Sequence, residues 1–413
     1  MNLNFRRLET KSKSPLWIFP QPNANSVALG VLIFAGTRDE NWPKEAGIAH
    51  ALEHMHFQGT EKFPSSAKIS GFVEEVGGRL NAWTWKEMTF HHVYMPAEHA
   101  RRGVEILSQQ MLASVFPEER VPVEMKNIIQ ELRRRNDDPR GAVGEIGDEL
   151  IYGKHPLGKD TLGTEEALNA FKRDDFINFK KRYYNSSNMV FIVAGNIDDK
   201  AAVDLFDEFF PFEPGERNIR KPEEVSDVSA KLRVEKKDIE QVHLVLNAIT
   251  GEAASKDASV IELFGYMISG GMSFPLFQEV RNKRGLCYEV HGGLNRWSDA
   301  SNFDIYVGTD PKRYKEAIDA TIEVIEKSKS DSGLMERAKA LRIGRLALDF
   351  ENMYNVINIA SRDITFLGAP RGYEQIKSEI EKITIEDVGR AVDKYLLADK
   401  LSKTLLVPED FKE

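Results

Sequence analysis

Gly47-Ile-Ala-His50-Ala-Leu-Glu53-His54-Met-His56-Phe-Gln-Gly59-Thr60 is the stretch on which the reading of this chain turns. Pro43, just upstream, opens a helical pattern that runs to about Gly59. On a helix, positions i and i+4 share one face, so His50 and His54 can present their imidazoles to a single ion. Glu53 lies beside them, close enough to hydrogen-bond a water on that ion. Two imidazoles, one carboxylate and a position left for water make up a catalytic zinc site, where the water's pKa falls to about 7 and a carboxylate can take its proton. His56 points about 160–200° around the helix from His54 and is a poor ligand.

A third ligand has to come from another element. Val123-Glu124-Met-Lys-Asn-Ile-Ile-Gln-Glu131 offers two carboxylates on one helix face, with Met125, Ile129 and Leu132 as a neighbouring apolar stripe. Their Cα atoms stand roughly 10 Å apart along the axis. With metal–oxygen bonds of about 2 Å, one carboxylate ligates and the other orients a ligand. Spacing alone leaves open which does which.

Working outward, Ser26 to Gly36 reads as a buried strand, and residues 65–76 as a helix closed by Gly77-Gly78. Residues 79–95 read as one long strand or a hairpin. Helices are expected over 97–113 and 122–137, the second stopped by Pro139. A buried strand over 188–195 and a helix complete a first domain, 1–212. Pro, Gly and charge then break the pattern, placing a linker at 213–228. In the second domain, 229–413, strands over 241–249 and 302–309 flank a helix over 258–269. Each half opens strand-then-helix, which reads as a duplicated α+β unit. The second half has no counterpart to the histidine pair.

Composition narrows the classes. A chain of 413 residues exceeds one ordinary core, so two domains are expected. Its longest apolar runs, Val27–Ala35 and Met189–Ala194, are strand-length and do not span a bilayer. A net charge of −9 argues against nucleic acid as the main partner. The basic runs Arg133–Arg135 and Lys180–Arg182 read as solvated helix faces. Glu9 interrupts the basic residues Arg6, Arg7, Lys11 and Lys13, and the extended segment Pro15–Pro20 follows, so a first strand is expected rather than a targeting presequence. Cys287, the sole cysteine, cannot form an internal disulfide. It reads as a small packed residue in a protein of a reducing compartment, the cytoplasm.

The histidine-first order resembles the inverted motif of the pitrilysin, insulin-degrading enzyme and mitochondrial processing peptidase family of zinc metallopeptidases. The 76 residues between His54 and Glu131 are similar to that family's spacing to its third ligand. Further similar segments are Gly77-Gly78-Arg-Leu-Asn81-Ala82-Trp-Thr84, Tyr152-Gly-Lys-His155-Pro-Leu-Gly158 and Ala194-Gly195-Asn196, in order along nearly the whole chain. The resemblance implies one zinc per chain, held by His50, His54 and Glu131, with Glu53 as base and Glu124 as the supporting carboxylate. It also implies that Asn81 and Ala82 lie on an edge strand that pairs with substrate backbone. Trp83 and Trp85 alternate along it and read equally as core or pocket.

Leu276 to Tyr288 resembles the family's arginine–tyrosine segment, in which Arg281 would hold the substrate and the Tyr288 hydroxyl would stabilise the oxyanion. Ser273-Phe274-Pro275 departs from the Ser-Arg-type pair that relatives carry there. The implied fold is α+β: two related domains, each a mainly antiparallel sheet packed with helices, forming half of a clamshell. The implied activity is hydrolysis of extended peptides in an enclosed chamber. A homodimer, with each zinc served by Arg281 and Tyr288 of the other copy, is the simplest assembly, and a heterodimer is the alternative. The rival function is a non-catalytic or partner subunit of a heteromeric processing peptidase. That reading expects a damaged His-Glu-His set, whereas this set is complete.

Overall fold

The computed structural model describes residues 4–212, 215–225 and 229–412. Its first sheet holds β1 (Arg6–Glu9), β2 (Pro15–Pro20), β3 (Ser26–Ile33), β4 (Arg79–Thr84), β5 (Thr89–Pro96) and β6 (Met189–Gly195), in the order β1-β2-β6-β3-β5-β4. The second holds β7 (Leu232–Lys237), β8 (Val242–Gly251), β9 (Cys287–Asn295), β10 (Ser301–Thr309) and β11 (Ser402–Pro408), in the order β7-β11-β8-β10-β9. In each sheet one pair runs parallel, β2 with β6 and β7 with β11, and the rest are antiparallel. Without β1 the two sheets have the same wiring. The duplicated α+β pattern is therefore a duplicated topology.

Helices follow β3 in the first half: α1 (Ile48–Met55), α2 (Ser66–Glu74), α3 (Ala100–Leu112), α4 (Val121–Asp137) and α5 (Pro139–Tyr152). Next come α6 (Glu165–Ala170), α7 (Arg173–Tyr183) and α8 (Asp199–Phe209). The second half adds α9 (Lys256–Ser269), α10 (Tyr314–Ser328), α11 (Ser332–Glu351), α12 (Met353–Leu367), α13 (Tyr373–Glu381) and α14 (Ile385–Tyr395). None is long and apolar enough to cross a membrane. Every residue of β6 is buried, as is all of β3 after Ser26. Strands covered on both faces show continuous apolar runs rather than alternation, which is why these two were legible. Phe191 of β6 meets the rings of Phe206 and Phe210 at 4.4 and 4.7 Å. Burying such a side chain contributes about 1.5–3 kcal/mol.

The chain divides into two compact units that are not consecutive halves. One comprises residues 1–133, 159–221 and 348–374, the other 134–158, 222–347 and 375–413. The expected boundaries, 1–212 and 229–413, follow the strands, while two helices cross them. Helix α5 packs on β8 and β11, and α12 packs on β3 and β6. Pro139 does end the α4 pattern, but it also opens α5 at the first helical position, where its missing N–H costs nothing, and Asp138 caps the turn through Arg140 N at 3.2 Å. Val143 then buries against Val245, Tyr306 and Leu406, and Tyr152 Oη donates to Ala300 O at 2.7 Å. Of the expected linker, residues 213–214 and 226–228 lie outside the described residues, and 215–225 form neither helix nor strand. Lys180 departs from the solvated face read for it: it lies over the Phe116 ring, and burial lowers its ammonium to about 8.

Candidate metal centre

The helix carrying the histidine pair starts later than its pattern, at Ile48 rather than Pro43. Gly47 sets the start. It stands at φ +88, which other residues rarely adopt, and a Cβ there would lie 2.7 Å from Leu162 O. The helix's first N–H groups are met by a carboxylate from outside it. Glu40 Oε2 accepts from Gly47 N and Trp42 Nε1, and Oε1 accepts from Ala49 N, each at 3.0 Å. Burial pushes the Glu40 acid well above its ordinary value, even against these hydrogen bonds. Ile48, Ala49, Ala51, Leu52 and Met55 are fully buried, which fixes the face that carries His50, Glu53 and His54.

On that face the imidazoles of His50 and His54 stand edge-to-face, 4.7 Å between centroids. From α4, Glu131 Oε2 comes to 3.9 Å from His50 Nε2 and 3.8 Å from His54 Nε2. All three ligand atoms lie within 4.8 Å of one another, the one such group among the described residues. They are too far apart to hydrogen-bond. Two donors on a tetrahedral zinc, each at about 2.0–2.1 Å, stand about 3.4 Å apart, so small side-chain rotations close this set around an ion. Two nitrogens and one oxygen, with one position left, fit zinc in its catalytic rather than its structural form. Burial, then the neighbouring His54, lowers His50 to about 3, so the ring is neutral, as a ligand must be.

Glu124 approaches the other ring nitrogen of His54, Oε2 to Nδ1 at 3.7 Å, while its Oε1 accepts from Arg120 Nη2 at 2.8 Å. Burial works against charge on His54, but Glu124, Glu53 and Glu131 outweigh it and hold the imidazole above its usual pKa. Glu53 is buried, and Thr84 Oγ1 of β4 donates to its Oε2 at 2.6 Å. Burial raises the Glu53 acid to about 7, with Thr84 and His54 working to lower it. His56 turns away from the metal group, its Nδ1 3.3 Å from His91 Nε2.

Asn81 and Ala82 lie on β4, an edge of the first sheet, and Asn81 Oδ1 accepts from Ala82 N at 2.9 Å. Trp83 packs against Trp85 and Phe90 and donates from Nε1 to Asn358 Oδ1 at 3.1 Å, so it is structural. Arg281 and Tyr288 belong to the other compact unit. There the Arg281 guanidinium, on a π-helical turn over Leu276–Lys283, lies 5.1 Å from the Tyr288 ring, and Tyr288 is 77% exposed at the start of edge strand β9. Cys287 beside it is buried, and burial pushes its thiol up to about 11, which disfavours the thiolate.

Sequence reasoning missed three residues of this site: Glu40, Thr84 and Arg120. Arg120 was findable at four residues before Glu124. Thr84 shares the alternation of β4 with Ala82. Glu40 reaches forward seven to nine residues through a turn and leaves no periodic trace.

The family model described as "Insulinase (Peptidase family M16)" matches residues 18–165, and "Peptidase M16 inactive domain" matches residues 170–341. The chain is 32% identical over 311 residues to an uncharacterized zinc protease of Rickettsia bellii, covering 75% of this chain and 74% of that one. It is 29% identical over 392 residues to the uncharacterized zinc protease YmxG of Bacillus subtilis, covering 94% of each. Its fold matches the crystal structure of a protease from Helicobacter pylori with a TM-score of 0.91 at 20% identity, over 98% of this chain and 99% of that one. It also matches a peptidase M16 inactive domain from Pseudomonas fluorescens with a TM-score of 0.90 at 17% identity, over the whole of both chains. By its sequence relatives and by two family models that together span most of its length, the chain belongs to peptidase family M16.

Proposed function

We propose that the chain is a zinc-dependent peptidase that cuts extended peptides, with one zinc held by His50, His54 and Glu131. The observation carrying this reading is that these three side chains converge beside Glu53, a buried carboxylate fixed by a hydroxyl. A zinc ion in this set supplies Lewis-acid polarisation of a peptide carbonyl and an acidified water. Thr84 orients Glu53 through Oε2, leaving the other oxygen to take the attacking water's proton and pass it to the leaving amine. Glu124, braced by Arg120, fixes the ring of His54. The outer edge of β4 at Asn81 and Ala82 has no strand partner among the described residues, so its main chain can pair with an extended peptide.

Arg281 and Tyr288 act on the metal centre of a second copy, where a cation and a phenol O–H stabilise the oxyanion. A homodimer is the simplest such assembly, and a partner of different sequence is the alternative. Facing copies enclose a chamber that excludes bulk water and admits extended chains. The sole cysteine fits a cytoplasmic enzyme. The reading is tested by measuring zinc content and digesting a peptide library with wild type, chelated protein and Glu53→Gln. We expect one zinc per chain in wild type and in Glu53→Gln, with turnover in wild type alone. Hydrolysis by zinc-free protein, or wild-type turnover by zinc-loaded Glu53→Gln, overturns it.

A further inference from the structure

A cavity of about 380 Å³ opens between α5 and the second sheet, and it shares no residue with the metal centre. A glycine makes room for it. Gly144 of α5 lines it, and a Cβ added there would meet nothing within 4 Å. In the strand register Asp304 of β10 stands directly between Asn247 of β8 and Gly293, so the two polar side chains share the sheet face on which α5 packs.

The lining is rich in acceptors. Asn247 is 1% exposed, lines the cavity, and has no hydrogen-bond partner for Oδ1 among the described residues. A buried carbonyl oxygen left in this state costs about 1–3 kcal/mol, which calls for a donor in the cavity. Asp304 accepts from Asn295 Nδ2 at 2.7 Å and Asn302 Nδ2 at 3.2 Å, both on Oδ1, and among the described residues no side chain or main-chain N–H donates to Oδ2. Asp138, whose Oδ1 accepts from Arg140 N at 3.2 Å, Glu145, paired with Arg135 Nη1 at 3.4 Å, and Asp148 line the same space. Arg140, the one cation among the described lining residues, is engaged elsewhere: it donates to Glu289 Oε1 at 2.6 Å and lies over the Tyr306 ring. Burial, then Asp148, pushes the Asp304 acid up to about 8, as expected of an acid without a cation beside it. The volume is many times the roughly 10–15 Å³ that one water needs, enough for a polar head with an aliphatic stem.

We propose that this cavity binds an alkylammonium or alkylguanidinium group, whose N–H bonds go to Asn247 Oδ1 and the Asp304 carboxylate while its stem lies against Gly144. Such a head arrives on a peptide's basic side chain or on a small free amine. Calorimetric titration of the whole protein distinguishes them, using capped arginine and lysine amides, agmatine and spermidine, with capped norleucine amide and calcium as controls. We expect saturable one-to-one binding of the cations and none of the norleucine amide. Tighter binding of the capped amides assigns the site to peptide side chains, and tighter binding of agmatine or spermidine assigns it to free amines. Asp304→Asn should weaken binding by about tenfold or more, equivalent to at least about 1.4 kcal/mol. Gly144→Leu should abolish it by filling the space. Because Leu also favours helix over Gly, melting no lower than wild type separates that loss from unfolding. Three outcomes overturn the proposal: no saturable binding of any organic cation, binding of calcium alone, or organic-cation binding that survives both substitutions.

Discussion

The two sheets share one wiring, yet the helix that follows the corresponding strand differs sharply between them. In the first, α1 has eight residues, starts at a left-handed glycine and takes its capping carboxylate, Glu40, from outside the helix. In the second, α9 has fourteen residues and an ordinary cap, Ser255 Oγ accepting from Ala258 N at 3.2 Å. α9 buries Ile261, Phe264, Met267 and Ile268, whereas α1 gives part of its surface to His50, Glu53 and His54. The frame therefore tolerates either a packed helix or a chemical one, and function lies in the side chains grafted on it. The family model described as an inactive domain matches residues 170–341, from α6 of the first half to α11 of the second.

The sharpest way to break this contrast is to remove the chemistry from α1 and leave its packing. Glu53→Gln keeps the shape and removes the proton acceptor, so turnover should fall by about 10²–10⁴-fold with zinc retained. Full turnover by a zinc-loaded Glu53→Gln protein would remove Glu53 from its role as proton acceptor. The second sheet's share is tested through Tyr288→Phe, expected to cost about 10²–10³-fold, the usual loss for one oxyanion donor. Mixing Glu53→Gln with Tyr288→Phe protein should restore activity, up to about half of wild type per mixed dimer, if each centre is shared between copies. Subunit exchange seen by native mass spectrometry without returning activity refutes the shared site. A smaller effect separates the two glutamates of α4. Glu131→Ala should lose most of the metal, whereas Glu124→Ala should retain more and lose about 10–100-fold in affinity or activity. Metal analysis showing the reverse exchanges their roles.

Much of this was legible because periodicity and ligand chemistry leave marks in sequence. The continuous runs of β3 and β6, the i, i+4 spacing of His50 and His54, and the α4 helix carrying Glu124 and Glu131 all lie within single elements. The choice between those two glutamates came from resemblance, since seven residues of helix give both the same face. What escaped was set by tertiary placement. Nothing in the α5 sequence tells which sheet its apolar face covers, so the interleaving of the compact units was invisible. The late start of α1 was missed for a similar reason: Pro43 is a sound opening signal, but Gly47 and the reach of Glu40 decide where the helix begins.

That reach yields the smallest predicted effect and the closest comparison between the two helices. In Glu40→Gln, one oxygen that now accepts N–H bonds becomes an NH₂ group facing those donors. One or two of the three bonds to Gly47 N, Ala49 N and Trp42 Nε1 are lost, and an orphaned Gly47 or Ala49 N–H stays buried. The cost should be about 1–3 kcal/mol in unfolding free energy. Ser255→Ala removes the corresponding cap of α9 and should cost about 1 kcal/mol. The stability losses overlap, so stability alone does not tell the helices apart. Zinc affinity does. Ala49 precedes His50, so loosening the first turn of α1 lets the imidazole leave the position shared with His54 and Glu131, and Glu40→Gln should bind zinc more weakly. Ser255→Ala, on a helix with no ligand, should bind zinc as wild type does. If competition with a zinc chelator gives equal affinities for the two variants, Glu40 merely ends a helix and has no part in aiming the histidines.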